Sequence, residues 1–176
     1  EAAGAVLVAF DTLHDTQLPD VDGLFIGGGF PETHMRALEA NTALRSSIRE
    51  AIESGMPAYA ECGGLMYLSR SLTWHGDRAE MVGVIPGDVL MHDSAQGRGY
   101  VRLRETAASP WPLLAEGGGE ERVEIPAHEF HYSSLENLPD TSVFAYEMLR
   151  GTGIDGNHDG IVHKNLLANF THLRDT

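Results

Sequence analysis

Hydrophobic and polar positions change rhythm about halfway along the chain. In the first half, short apolar runs alternate with stretches of helical spacing. Ala5–Phe10 is apolar and predicts a strand, followed by a polar loop over Asp11–Asp20. Val21–Ile26 predicts a second short strand, which runs into Gly27-Gly28-Gly29. Helical territory opens at Pro31-Glu32, and Asn41 is placed to cap a further helix. In that helix Leu44, Ile48, Ala51 and Ile52 share one face, and Gly55 and Pro57 end it. Pro57–Ala60 reads as a buried strand, and Gly64–Leu72 as a helix with Leu65, Leu68 and Leu72 on one side. This β-α-β-α order predicts a parallel sheet with helices on both faces.

From Met81 onward the pattern is one of strands. Met81–Ile85, Tyr100–Arg104, Arg122–Ser133, Ser142–Arg150, Gly160–Lys164 and Leu166–His172 all carry that signal, with glycine-rich or Asp-Gly turns between several of them. Gly117-Gly118-Gly119 is expected to be a surface loop. No internal repeat or linker divides the chain, so a single domain over 1–176 is expected. Glu1-Ala2-Ala3-Gly4 reads as the last turn of a helix closed by glycine, which suggests a piece of a longer polypeptide.

Composition narrows the function classes. A chain of 176 residues with 42% hydrophobic content, 20 Gly and 8 Pro fits a globular α/β domain. No apolar run reaches the ~20 residues of a membrane span, and the opening EAAGAVLVAF lacks the basic n-region of a secretory leader. One cysteine rules out an internal disulfide and suits a reducing cytoplasm. A net charge of -14 argues against nucleic acid as partner, since that role calls for a basic patch.

Ala60-Glu61-Cys62-Gly63-Gly64 carries the strongest chemical signal. A nucleophile that leaves a strand and enters a helix sits on a tight turn needing small residues two positions before and two after. Ala60 and Gly64 meet that need. The turn exposes the sulfur at a helix N-terminus, where N–H groups favour thiolate, and the Gly63 N–H is placed to stabilise an oxyanion. The rival reading is a buried structural cysteine before a glycine turn. Gly27-Gly28-Gly29 also follows a strand and could face Cys62, supplying a second oxyanion donor from Gly28 or Gly29. A simple turn is its rival, and the absence of a following GK[ST] argues against a phosphate loop.

A thiolate catalyst needs a proton shuttle, and histidine suits it. Among nine histidines, residue chemistry alone ranks His172, at the end of a late apolar strand, equal with His131. His131 lies in Ala127–Ser133, where alternation puts His128, Phe130 and Tyr132 on one face and Glu129, His131 and Ser133 on the other. The latter three could wall a substrate pocket or be structural. The two histidines could instead bind metal, but no further Cys/His cluster has ligand spacing, and no metal is expected.

Taken together, GLFIGGGFPE, YAECGGLMYL, MVGVIPG, AHEFHYS and LLANFTHLRD resemble the C-terminal glutaminase domain of the cobyrinic acid a,c-diamide synthase family, in the family's order and from about Glu1 to the end. The cysteine turn is common to many class I amidotransferases, whereas HEFHYS and the ending are more particular to this branch. The resemblance implies a class I glutamine amidotransferase-like (flavodoxin-like) three-layer sandwich, its sheet mostly parallel with antiparallel strands added in the second half. It assigns Cys62 as nucleophile and His172 as base, which decides between His172 and His131. It also implies that the first strand, most of the first helix and an ATP-dependent synthetase domain related to dethiobiotin synthetase precede this chain.

On this resemblance the domain itself needs no cofactor, and ATP and Mg²⁺ belong to the synthetase domain. Glutamine is the substrate here, a tetrapyrrole dicarboxylate is reached through the synthetase domain, and a homodimer is compatible. Two departures stand out. Many class I glutaminases place Glu two residues after the histidine, where this chain has Arg174, so the orienting acid is open and Glu129 is the first substitute. The cobyrinate enzymes usually have a second histidine at that place. With Gly97-Arg98-Gly99-Tyr100, this points towards a sister branch amidating another tetrapyrrole such as sirohaem. A same-fold γ-glutamyl peptidase and a non-catalytic binding module are the rival functions.

Overall fold

The computed structural model describes residues 4–112 and 124–173. The expectations for Glu1–Ala3, for Gly117–Gly119 and for the side chain of Arg174 therefore lie outside the described residues.

The main sheet has seven strands. In spatial order they are β1 (Leu24–Ile26), β2 (Ala58–Glu61), β11 (Leu166–Asn169), β10 (His158–His163), β9 (Val143–Arg150), β6 (Gly97–Glu105) and β7 (Glu124–His131). β1, β2 and β11 run parallel, and every other pairing in this sheet is antiparallel. The α/β architecture is thus the expected one, with its parallel part confined to three strands. A smaller sheet is ordered β4 (Asp77–Glu80), β3 (Ser69–Trp74), β5 (Ile85–Met91) and β8 (Ser133–Glu136).

Helices fill the connections of the first half. A 3₁₀ turn (Pro31–His34) leads into α1 (Met35–Ala40), and α2 (Thr42–Glu53) follows. The Asn41 side chain accepts the Leu44 N–H at 3.3 Å, which is the cap its position predicted. α3 (Gly63–Leu68) starts directly behind Cys62. Leu44, Ile48 and Ile52 of α2 and Leu65 and Leu68 of α3 are fully buried with Ala58, Ala60, Leu166 and Ala168 of the parallel strands. All three helices contribute to this one core. The opposite face of the sheet packs Val101, Leu103, Ala127, Ala145, Tyr146 and Leu167. Helices on both faces were expected, but among the described residues they cover one.

Three local expectations are corrected. Ala5–Phe10 forms no strand: Val6 and Leu7 are 86% exposed, and the segment borders a groove beside β1 without entering its ladder. The predicted helix over Gly64–Leu72 ends at Leu68, where the Ser69 hydroxyl donates to the Met66 carbonyl at 2.6 Å, and the chain continues as β3. Leu72 is fully buried, but from a strand. Met81–Val84 is an irregular connection whose N–H groups bond to carbonyls of 67–70, and only Ile85 belongs to a strand. The β3–β4 hairpin was not predicted. His75 (φ 49°) and Gly76 (φ 79°) form its two-residue turn, the left-handed pair such hairpins favour.

Candidate active site

Parallel strands in a sheet deliver their C-terminal ends to one edge, where ligands usually bind. Here that edge gathers Gly27–Gly29 after β1, Cys62 after β2 and His172 after β11. Cys62 has φ 47° and ψ −104°, a backbone conformation uncommon for any residue but glycine. The packing around it enforces this turn. A Cβ on Gly64 would fall 2.1 Å from the Ile26 carbonyl oxygen, and one on Gly63 would fall 2.6 Å from the Gly29 nitrogen and oxygen. Ala60 is fully buried. The elbow spacing seen in the sequence therefore has a steric cause.

The same contacts place the triple-glycine loop against the elbow. A Cβ on Gly28 would meet His172 Cε1 at 3.0 Å and Cys62 Cβ at 3.8 Å. Gly28, Gly29, Gly63, Cys62 and His172 thus share one small space, as the sequence expected. Cys62 Sγ also lies 3.9 Å from the Phe130 carbonyl.

His172 is held from several sides. Its backbone forms an antiparallel bridge with His128, through His172 N–H to His128 O at 2.8 Å and the reciprocal bond at 3.3 Å. Its ring stacks on that of His128 with centroids 4.9 Å apart. Upstream, the fully buried Asp159 accepts the N–H groups of Phe170 at 3.1 Å and Thr171 at 2.9 Å. These bonds fix the turn that carries the chain from β11 to the histidine.

The carboxylate beside His172 is Glu61, the residue directly before Cys62. His172 Nδ1 donates to Glu61 Oε2 at 3.2 Å, while Glu61 Oε1 accepts the Tyr59 hydroxyl at 2.8 Å and the Leu173 N–H at 3.1 Å. Burial opposes ionisation of Glu61, but the bonds from His172, Tyr59 and Leu173 hold its carboxyl below the usual value. The imidazole of His172 is raised to about 9, first by hydrogen bonding to Cys62 and next by Glu61. The site therefore favours a protonated imidazole beside the sulfur.

The sequence points to Glu129 for this place, and the structure puts Glu61 there. Glu129 is buried elsewhere. Its two oxygens accept the N–H groups of Thr152 and Gly153, each at 2.9 Å, and Oε2 lies 3.5 Å from His131 Nε2. His131 is buried too, with Nδ1 bonded to the Ser133 carbonyl at 2.8 Å and its ring stacked on Phe170 at 4.3 Å. Glu129 and His131 are thus a buried pair. His131 borders the cavity at Cys62, whereas Glu129 is not among the residues lining it. Among the described residues no three His, Cys, Asp or Glu side chains cluster to hold a metal. A signal for Glu61 did exist: an acid next to Cys62, on a strand whose neighbour leads to His172.

The cavity at Cys62 measures about 240 Å³ and is walled by Gly29, Glu32, Met66, His92 and Phe130–Ser133. Drug-sized ligands occupy pockets of ~300–1,000 Å³, so this one suits a molecule of amino-acid size.

Comparison with known proteins agrees with this geometry. Residues 1–174 match the family model of the CobB/CobQ-like glutamine amidotransferase domain. The cobyrinate a,c-diamide synthase of Magnetococcus marinus is 47% identical over 170 residues, covering 97% of this chain and 35% of that protein. The synthase of the same name from Methanosarcina acetivorans is 41% identical, covering 98% of this chain and 36% of that protein. The chain spans about a third of the length of these curated relatives. Among solved structures, PurLQS from Thermotoga maritima superposes with a TM-score of 0.62 at 19% identity, covering 91% of this chain and 72% of that one. A putative GMP synthase subunit from Thermoplasma acidophilum gives 0.56 at 18% identity, covering 92% and 68%. These structural likenesses establish the fold. No helix among the described residues is long and apolar enough to cross a membrane.

Proposed function

The chain belongs to the CobB/CobQ-like glutamine amidotransferase domain family, and on that premise we propose that it hydrolyses glutamine to supply ammonia for ATP-dependent amidation of tetrapyrrole carboxylates. The observation that carries the glutaminase half is the meeting of Cys62, on its left-handed elbow, with His172 and the glycine loop at one sheet edge, beside a small cavity that Cys62 and Gly29 line. The amidoligase half rests on the curated relatives, which are named cobyrinate a,c-diamide synthases.

In this mechanism Cys62 Sγ attacks the side-chain amide carbon of glutamine. His172 takes the thiol proton and delivers it to the departing ammonia. The N–H groups of Gly63 and of Gly28 or Gly29 face the oxyanion of the tetrahedral intermediate. The resulting γ-glutamyl thioester is then attacked by water, with His172 as base, and glutamate leaves. Glu61 keeps the Nδ1 proton of His172 in place, so that the other ring nitrogen serves the sulfur. Ammonia passes to an ATP- and Mg²⁺-dependent synthetase domain of the longer polypeptide, in the cytoplasm. No cofactor enters the glutaminase step.

The test is to supply the full-length protein with ATP, glutamine and a panel that includes cobyrinic acid and sirohaem, and to read the products by mass. Amidated tetrapyrrole with one glutamate released per amide formed is the expected result. Glutamate release from γ-glutamyl peptides with no amidated product would favour the peptidase.

A further inference from the structure

We propose that Glu32 binds the α-ammonium group of the glutamine and so makes the site selective for the free amino acid. This rests on the glutaminase reading of Cys62 and adds the group that recognises the far end of the substrate.

Glu32 sits on the 3₁₀ turn directly after the glycine loop. Pro31 at the start of that turn and the Thr33 N–H bond to the Phe30 carbonyl at 3.1 Å fix its backbone. Its side chain forms part of the wall of the Cys62 cavity, and among the described residues no other carboxylate, lysine or arginine lines that cavity. The Oε2 atom is buried and has no hydrogen-bond partner. An anionic oxygen left in that condition costs free energy, and the cost is removed when a cation reaches it.

Glutamine brings such a cation. When its amide carbon is at Cys62 Sγ, its α-carbon is two methylenes further into the cavity and presents an ammonium group. Burial also pushes the Glu32 carboxyl above its ordinary value, a penalty that an ammonium partner reverses. The glycine loop thus serves twice: its N–H groups face the reacting amide, and the turn it feeds presents the carboxylate.

The experiment compares glutamine with glutaramate, the same amide lacking only the α-amino group, in full-length wild-type protein and in Glu32→Gln. Glutamate or glutarate release is measured, together with the rate at which diazo-ketone analogues with and without the amino group label Cys62. The wild type should prefer the amino-bearing member of each pair at least tenfold in kcat/KM and in labelling rate. Glu32→Gln should lose most of that preference, mainly through KM, and Glu32→Asp should recover part of it. Because each preference is a ratio within one protein sample, partial unfolding cancels. An undiminished preference in Glu32→Gln, or equal handling of the two compounds by the wild type, overturns the proposal. A wild type that releases no glutamate and is not labelled at Cys62 overturns instead the glutaminase reading beneath it.

Discussion

Glu61 Oε2 lies 3.2 Å from His172 Nδ1, so the carboxylate that holds this imidazole is the immediate chain neighbour of Cys62. Replacing it with glutamine would put an amide NH₂ against Nδ1 and favour the tautomer with the proton on the wrong nitrogen. Glu61→Gln is expected to lower kcat for glutamate release more than tenfold, about 1.4 kcal/mol of barrier. It should also move the basic limb of the pH profile to lower pH, since Glu61 helps raise the imidazole to about 9. Glu129→Gln should register in thermal stability before it registers in kcat, because Glu129 accepts the N–H groups of Thr152 and Gly153 and lies beside the buried His131. Steady-state kinetics and melting curves of both variants decide between the two carboxylates.

Cys62→Ala is expected to abolish glutamine-dependent amidation while leaving amidation with added ammonium salt. On the proposed function, only ammonia supply passes through the sulfur. Measuring both activities in the same folded preparation checks this, and an equal loss of the two would place Cys62 outside a dedicated glutaminase step.

The stability of the domain should carry a pH signature of His172. Its folded-state value of about 9 exceeds the ordinary 6.5, so the folded state holds a proton that the unfolded chain releases between those limits. That contribution is fully present below about pH 6.5 and is lost as pH rises towards 9. The gap in unfolding free energy between wild type and His172→Gln should therefore narrow across this window. Denaturant titrations at several pH values measure it, and a gap that widens would contradict the raised value.

Steric demands of the elbow predict opposite outcomes for two neighbouring glycine sites. Gly64→Ala places a methyl 2.1 Å from a backbone carbonyl oxygen, so something must shift; a cost of about 3 kcal/mol or more is expected. Gly29→Ala meets nothing within 4 Å and should leave the melting temperature unchanged. Calorimetry of the pair is sufficient.

Asp159 is fully buried and accepts three backbone N–H groups, from Gly160, Phe170 and Thr171. Asp159→Asn turns one acceptor into a donor facing those groups, and roughly 2–4 kcal/mol of stability should be lost. Because the turn ends at His172, kcat should fall as well, even at temperatures where the variant is fully folded.

Much of the site was legible because its signals are local. The elbow spacing around Cys62 and the cap at Asn41 depend on nearest neighbours, and both reappear in the structure. Alternation over Ala127–Ser133 also held: Glu129, His131 and Ser133 are buried, while Phe130 and Tyr132 are exposed. Where the sequence misled, two patterns fitted the same residues. Leu65, Leu68 and Leu72 repeat at helical intervals, yet the last is buried from a strand, and a short apolar stretch carries no mark of the change. The partner of His172 was hidden for another reason. Strand pairing sets Asn169 opposite Glu61, a long-range register that spacing along the chain does not encode.

The Cys62 N–H donates to the Asn169 carbonyl at 2.7 Å, so the strand that leads to Cys62 is sewn to the strand that leads to His172. The bridge to His128 adds a second seam on the far side of His172. Sulfur and imidazole therefore ride on a common raft of sheet, and their spacing is inherited from the ladder rather than from any hinge.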